Sequence, residues 1–185
     1  NGIDDDNNGF VDDVNGWNFV EDGAHIYDDD GHGTHVAGIV LGASQDILVR
    51  SPALARIKIM PLKFMSGDGS GTTSDAIQAI YYAVNNGANI LNNSWGGEEY
   101  GRSLHEALTY AYSKKVLIVT ASGNFGTDND VRPIYPANLD VPGLVSVGAT
   151  TDWDTLAGFS DYGANTVHIG SPGSSILSTF PNSRF

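Results

Sequence analysis

Residues 116–121 read Val116-Leu117-Ile118-Val119-Thr120-Ala121 and run directly into Ser122-Gly123-Asn124. Six residues that are aliphatic or β-branched throughout, closed by a glycine, are too short for a helix buried all round and suit a strand. A strand without polar alternation is one covered on both faces, the habit of parallel sheets. Stretches at 57–63, 88–94 and 144–149 share this character, and helical patterns lie between them. Ser74 stands where it would cap a helix reaching Asn86, with Asp75 in the first turn and Gly87 as the stop. Ile77, Ile80, Tyr81 and Val84 give that helix an apolar stripe. Ser103 would cap a second helix to Lys115, with Glu106 early and lysines at its end, as the helix dipole favours. Strands alternating with amphipathic helices predict an α/β fold: a doubly wound, mostly parallel sheet with helices on both faces.

The length, 185 residues, suits one domain, and the 23 glycines are not periodic, which points to tight turns and not to collagen. Nine Lys and Arg against 22 Asp and Glu leave a formal charge of −13, which argues against nucleic acid or an anionic membrane as partner. No run approaches the about 18 apolar residues of a membrane span. Zero cysteines exclude disulfides, thiolate metal sites and cysteine nucleophiles.

The acidic charge is concentrated in residues 1–49, which hold 11 acids and no Lys or Arg. Within them, Asp4, Asp6 and Asn8 alternate, followed by Gly9 and by Phe10, whose backbone carbonyl would be a further donor. That is the first half of a calcium loop, since hard oxygen ligands at alternate positions suit a cation needing six to eight of them. Asn15 stands where the closing glutamate would be, so Asp12 or Asp13 must close the site. Calcium is therefore the expected structural cofactor, and Asp22, Asp28 and Asp29 offer a second, weaker site. The interleaved Phe10, Val11, Val14, Trp17, Phe19 and Val20 predict an ordered loop leading into a short strand.

In sheets of this class the functional site lies beyond the carboxyl ends of the strands. The polar, glycine-rich segments 66–71, 92–97 and 122–126 sit there. The densest chemistry is in Asp30-Gly31-His32-Gly33-Thr34-His35-Val36-Ala37-Gly38, where Val36, Ala37, Ile39 and Val40 look like a buried helix. His32 between two glycines suits a general base open to substrate. The residues alone leave other readings open: a structural histidine, a His32–His35 metal pair, or a plain glycine turn. Asn124, just past a strand end, would be an oxyanion donor or simply turn chemistry.

Taken together, the segments resemble the subtilisin-like serine peptidases over essentially the whole chain. His32-Gly33-Thr34-His35-Val36-Ala37-Gly38 resembles the family's histidine signature, Asn92-Asn93-Ser94-Trp95-Gly96 its substrate-binding strand, and Ser122-Gly123-Asn124 its oxyanion segment. Tyr135-Pro136-Ala137, Phe159-Ser160-Asp161-Tyr162-Gly163 and Ser171-Pro172-Gly173 follow in the family's order. The resemblance implies a serine endopeptidase with a polypeptide substrate, His32 and Asn124 being the catalytic residues. It implies that Ser94, Trp95 and Gly96 pair with the substrate backbone, with Gly69, Ser70 and Gly71 on its opposite side. Asp30 would lie beside the second subsite, and Ile134 at the base of a shallow main specificity pocket. His35 would pack inside. Secretion to the extracellular space or cell envelope, and bound calcium, are further implications.

The family's aspartate turn and its Gly-Thr-Ser-Met-Ala nucleophile segment do not occur in these residues. The expectation is thus that 1–185 is the central part of one peptidase domain, lacking the segments with the catalytic aspartate and serine, and inactive alone. Without the aspartate-bearing strand the sheet has unpaired inner edges, so a swapped or associated oligomer is expected. Two competing functions are a non-catalytic calcium- or peptide-binding module and a hydrolase using metal on His32 and His35.

Overall fold

The structure, a computed structural model, describes residues 1–50 and 57–181, and of 43–50 the backbone only. The chain divides into two compact units, Asn1–Ala79 with Leu177–Phe185, and Ile80–Ile176.

The first unit carries β1 (Trp17–Asn18), α1 (His32–Arg50) and β2 (Leu62–Lys63), with β1 and β2 paired in parallel. The short strand expected after the acidic loop is β1. Gly16 turns the chain into it at φ +114°, against the Pro61 carbonyl, where any Cβ would collide. Phe10 packs edge-on to Trp17 at 4.9 Å. Asn18, fully buried, is spent on its own turn: Oδ1 accepts from the Val20 and Glu21 amides, and Nδ2 donates to Glu21 and the His25 carbonyl. The strand expected over 57–63 is confined to its last two residues, because β1 offers only two residues to pair with; Ile57 and Ile59 are exposed.

The helix after His32 exists but is not buried as expected. Ile39, Val40 and Leu41 are exposed, whereas Val36 and Ala37 are half-buried. The reason is the length of its cover. Ser178 and Thr179 lie over the first turns, donating to the His35 and Thr34 carbonyls at 2.6 and 2.8 Å, and Gly38 is small enough to admit them.

The second unit is a four-stranded, wholly parallel sheet in the order β3-β4-β5-β6, built from Ile90–Asn93, Leu117–Ala121, Leu144–Thr150 and Ile169–Pro172. The first three are the strands expected; β6 carries Gly-Ser-Pro and no apolar run, so nothing in its pattern announced it. Ile118 and Thr120 face the core, while the cross-strand neighbours Ile90 and Leu117 are exposed at 59% and 42%. α3 (Arg102–Ser113) buries Leu104, Ala107, Leu108 and Ala111, an i, i+3, i+4, i+7 stripe. Its N-cap is Gly101, without a side-chain bond, and not Ser103.

α2 (Thr73–Asn85) runs through the boundary of the two units. Its cap is Thr72, whose hydroxyl accepts from the Asp75 amide at 3.0 Å, two residues before the expected Ser74. Gly87 ends it as expected, at φ +81°. Ile80 and Val84 are buried as expected, with Ala76, Ala79, Tyr82 and Ala83 covered beside them, but Tyr81 is exposed and packs on Tyr110 at 5.1 Å. The class is α/β with parallel sheets, and among the described residues no helix is long and apolar enough to cross a membrane.

Candidate active site

His32 is the first residue of α1 and is exposed. Glycine precedes it, so no side chain at the N-cap can satisfy the helix's first amides, and the work falls to Asp28. One Asp28 oxygen accepts from the Gly31 amide at 2.7 Å; the other accepts from the Thr34 amide at 2.8 Å and the Thr34 hydroxyl at 2.5 Å. Burial works against ionised Asp28, but the Thr34 hydroxyl and the Gly31, Thr34 and Asp30 amides outweigh it and hold the carboxyl below its ordinary range. Gly31 adopts φ +107° with the Phe180 ring where a Cβ would stand. The imidazole is thus mounted on a fixed turn. Asp30 is exposed and takes the His32 backbone amide at 3.0 Å. His35 is half-buried.

Asp29 pairs with Lys63 and is held below its usual range chiefly by that bond. Its carboxylate also lies where a Cβ on Gly67 would be. This brings the 66–71 loop beside the segment bearing His32. Within the loop Asp68 accepts from the Ser66 hydroxyl, the Ser70 hydroxyl and the Ser70 amide at 2.7, 2.7 and 2.9 Å. These bonds lower its pKa from 3.8 to about 2. Gly69, Ser70 and Gly71 are exposed on this braced turn.

In the second unit the strand ends converge. Gly97 and Tyr135 exchange both backbone bonds, at 2.9 and 2.8 Å, which sets Gly96 against Ile134. Ile134 is buried and also faces Gly123, the residue before Asn124. A relay of amides fixes this corner: Asn129 donates to the Ser122 carbonyl, Asn138 donates to the Asn129 carbonyl, and the Ile134 amide donates to Asn138. Ser94 and Trp95 are half-buried, and Gly96 and Asn124 are exposed. Of the sequence-derived residues, Gly96, Ile134 and the Asn124 turn are therefore brought together. An exposed carboxamide beside a glycine-lined backbone edge and a buried aliphatic floor can hold an extended peptide and donate to a carbonyl oxygen.

The acidic loop gathers only some of its expected ligands. Asn8 Nδ2 donates to Asp6 and Asp13 at 3.2 and 2.8 Å, and the Asn8 and Gly9 amides donate to Asp4 at 3.1 and 2.9 Å. Asp12 turns away, accepting from the Gly2 amide at 2.8 Å. Asp13, not Asp12, thus joins the group, while the Phe10 amide donates to Asn8 Oδ1. The donors are all hard oxygens on one curled loop and fit calcium in kind. Among the described residues no three acidic or imidazole side chains are gathered closely enough to hold a metal ion by themselves. Asp28 and Asp29 are engaged as described, which leaves the second, weaker cation site without them.

Two residues that hold these turns have no such task in the sequence analysis. Asp28 was read as a cation ligand, although it lies three residues before a glycine N-cap that needs a substitute. Asp161 lies in a segment matched to the family's order but given no task.

Residues 1–184 match the Subtilase family (Peptidase_S8). The chain is 38% identical over 162 residues to "Subtilisin-like protease 2" of Plasmodium falciparum (isolate 3D7), covering 85% of this chain and 12% of that protein. It is 42% identical over 167 residues to the "Cell wall-associated protease" of Bacillus subtilis (strain 168), covering 90% and 18%. A solved cold adapted subtilisin-like serine proteinase superposes with TM-score 0.74 at 32% identity, over 89% of this chain and 57% of that one. The chain thus spans less than two-thirds of the length of these relatives.

Proposed function

The chain belongs to the Subtilase family, and on that premise we propose that it forms the central, histidine- and asparagine-bearing part of a secreted serine endopeptidase. The observation that carries the reading is the corner where Gly96 and Gly123 both face the buried Ile134, one residue from Asn124.

In this reading His32 takes the proton of a serine hydroxyl contributed from outside these residues and returns it to the leaving amine. Asn124 donates to the oxyanion of the tetrahedral intermediate. Ser94, Trp95 and Gly96 bind the substrate as an added strand, and Gly69, Ser70 and Gly71 supply a second backbone edge. Ile134 floors a shallow main pocket, and Asp30 favours a basic side chain at the second subsite. Asp4, Asp6, Asn8, Asp13 and the Phe10 carbonyl would hold calcium, which supplies a fixed positive charge that neutralises the acidic loop. The 185 residues alone are inactive and associate through unpaired sheet edges. The working place is the extracellular space or cell envelope.

The test is labelling of the full-length protein by a serine-directed phosphonate. Labelling that is lost in His32→Ala and indifferent to a zinc chelator is the expected result. Activity abolished by the chelator would favour a metal on His32 and His35, and a protein that binds peptide but never labels would be a non-catalytic module. Asn124→Ala should lower kcat about 10²–10³-fold, a figure taken from subtilisin's own asparagine.

A further inference from the structure

Asn124 is held on both sides by one residue. The Asp161 amide donates to the carbonyl of Gly123 at 3.0 Å, and Asp161 Oδ1 accepts from the amide of Phe125 at 2.9 Å. The same oxygen accepts from the Thr127 amide at 2.9 Å and the Thr127 hydroxyl at 3.3 Å, and the Asp161 carbonyl accepts from Ser122 Oγ at 3.0 Å. The turn over 122–127 is therefore wrapped around a single side chain contributed from 36 residues further on.

That side chain is a costly choice. Asp161 is fully buried, and among the described residues its Oδ2 has no hydrogen-bond partner and the side chain forms no ion pair. Burying a carboxylate without a cation is unfavourable, and only Oδ1 is repaid by donors. Room for Oδ2 exists because Gly123, at φ +121°, has no Cβ; one would overlap that oxygen. A neutral side chain could fill the space, but a carboxylate oxygen is suited to accept three donors from the residues that immediately follow Asn124.

We propose that Asp161 is a positioning residue for the oxyanion donor: it fixes the backbone on both sides of Asn124 and so aims the carboxamide, without touching substrate itself. This rests on the reading of Asn124 as that donor. Misplacing a reacting group by about 1 Å costs on the order of 10²-fold in rate, which is the scale expected here.

The experiment is a double-mutant cycle on the full-length protein. Asp161→Ala should lower kcat on the order of 10²-fold with KM unchanged, and Asp161→Asn, which keeps Oδ1 as an acceptor, should restore most of it. In an Asn124→Ala background neither change should lower kcat further, because Asp161 acts only through Asn124. Should the alanine variant fail to fold, Thr127→Val, which deletes one donor to Oδ1, must show a smaller loss in kcat alone that also vanishes when Asn124 is alanine. Losses that persist in the Asn124→Ala background, or an unchanged kcat in Thr127→Val and Asp161→Ala, overturn the inference. An Asn124→Ala variant with undiminished kcat would instead remove the oxyanion reading beneath it.

Discussion

Gly96 lies against Ile134 so closely that a Cβ on the glycine would stand 3.0 Å from the Ile134 Cγ2 methyl and 3.2 Å from the Tyr135 carbonyl oxygen. The paired backbones of Gly97 and Tyr135 hold this spacing, and on the proposed reading Ile134 then floors the main specificity pocket. Ile134→Ala should deepen the floor and shift cleavage toward larger side chains, read by profiling a peptide library. Because Ile134 is only 4% exposed, the same change should cost about 2–5 kcal/mol of stability. An unaltered side-chain preference would mean that Ile134 does not line the pocket.

Asp28 substitutes for a missing N-cap, and its removal should be felt at His32. Asp28→Ala should destabilise the chain by about 1–2 kcal/mol, followed by thermal unfolding, and should lower kcat in the full-length protein. Asp30→Ala removes only the acceptor of the His32 amide and should change stability less. Equal effects of the two would show that Asp28 does not set the start of α1.

How much of this was legible in the sequence varied with the distance over which the causes act. Val116 to Ala121, Gly87 and the segments beyond the strand ends could be read because their signals are local: apolar runs, a left-handed stop, glycine beside polar residues. The caps were misplaced because Thr72 and Gly101 stand two residues before Ser74 and Ser103, and only the closed turn shows where each helix begins. The stripe on α2 held at Ile80 and Val84 and failed at Tyr81, which packs on Tyr110 at an exposed position while its neighbour Tyr82 is buried instead. β6 was invisible since its residues contribute backbone pairing and no buried side chain. The motifs drew attention to Gly96, Ile134 and Asn124, whose segments the fold brings together, whereas the bonds of Asp161 to the 122–127 turn appear only when residues far apart in the chain are folded together.

The brace at Asp68 should fail in acid. Its folded pKa, about 2, lies below the ordinary 3.8, so its contribution is fully present above 3.8 and is lost as the pH falls through about 2. Amide exchange at Ser70 should therefore accelerate between these limits, and Asp68→Asn should abolish the dependence. A flat profile across that window in the unaltered chain would count against the brace.

The acidic loop gives a contrast between neighbours. Calorimetric titration with calcium should release or absorb heat and raise the melting temperature, and Asp13→Asn should weaken binding. Asp12→Asn should leave it nearly intact, since Asp12 accepts from the Gly2 amide, whereas Asp13 accepts from Asn8. The reverse order, or no heat at all, would reject the ligand set.

Among the described residues β3 has a ladder partner on one side only, β4, and its Ile90 stands beside Leu117 on an exposed face. An open parallel edge with apolar residues next to it favours pairing with another chain. The 185-residue chain should therefore sediment as concentration-dependent oligomers. Ile90→Thr combined with Leu117→Thr keeps the strand propensity of both positions while removing apolar surface, and should shift the population toward monomer. Proline at Ile90 would be a poorer choice, because it would also disturb the existing ladder to β4. A chain that remains monomeric at all concentrations and melts cooperatively at high temperature would show that the β3 edge does not recruit a partner.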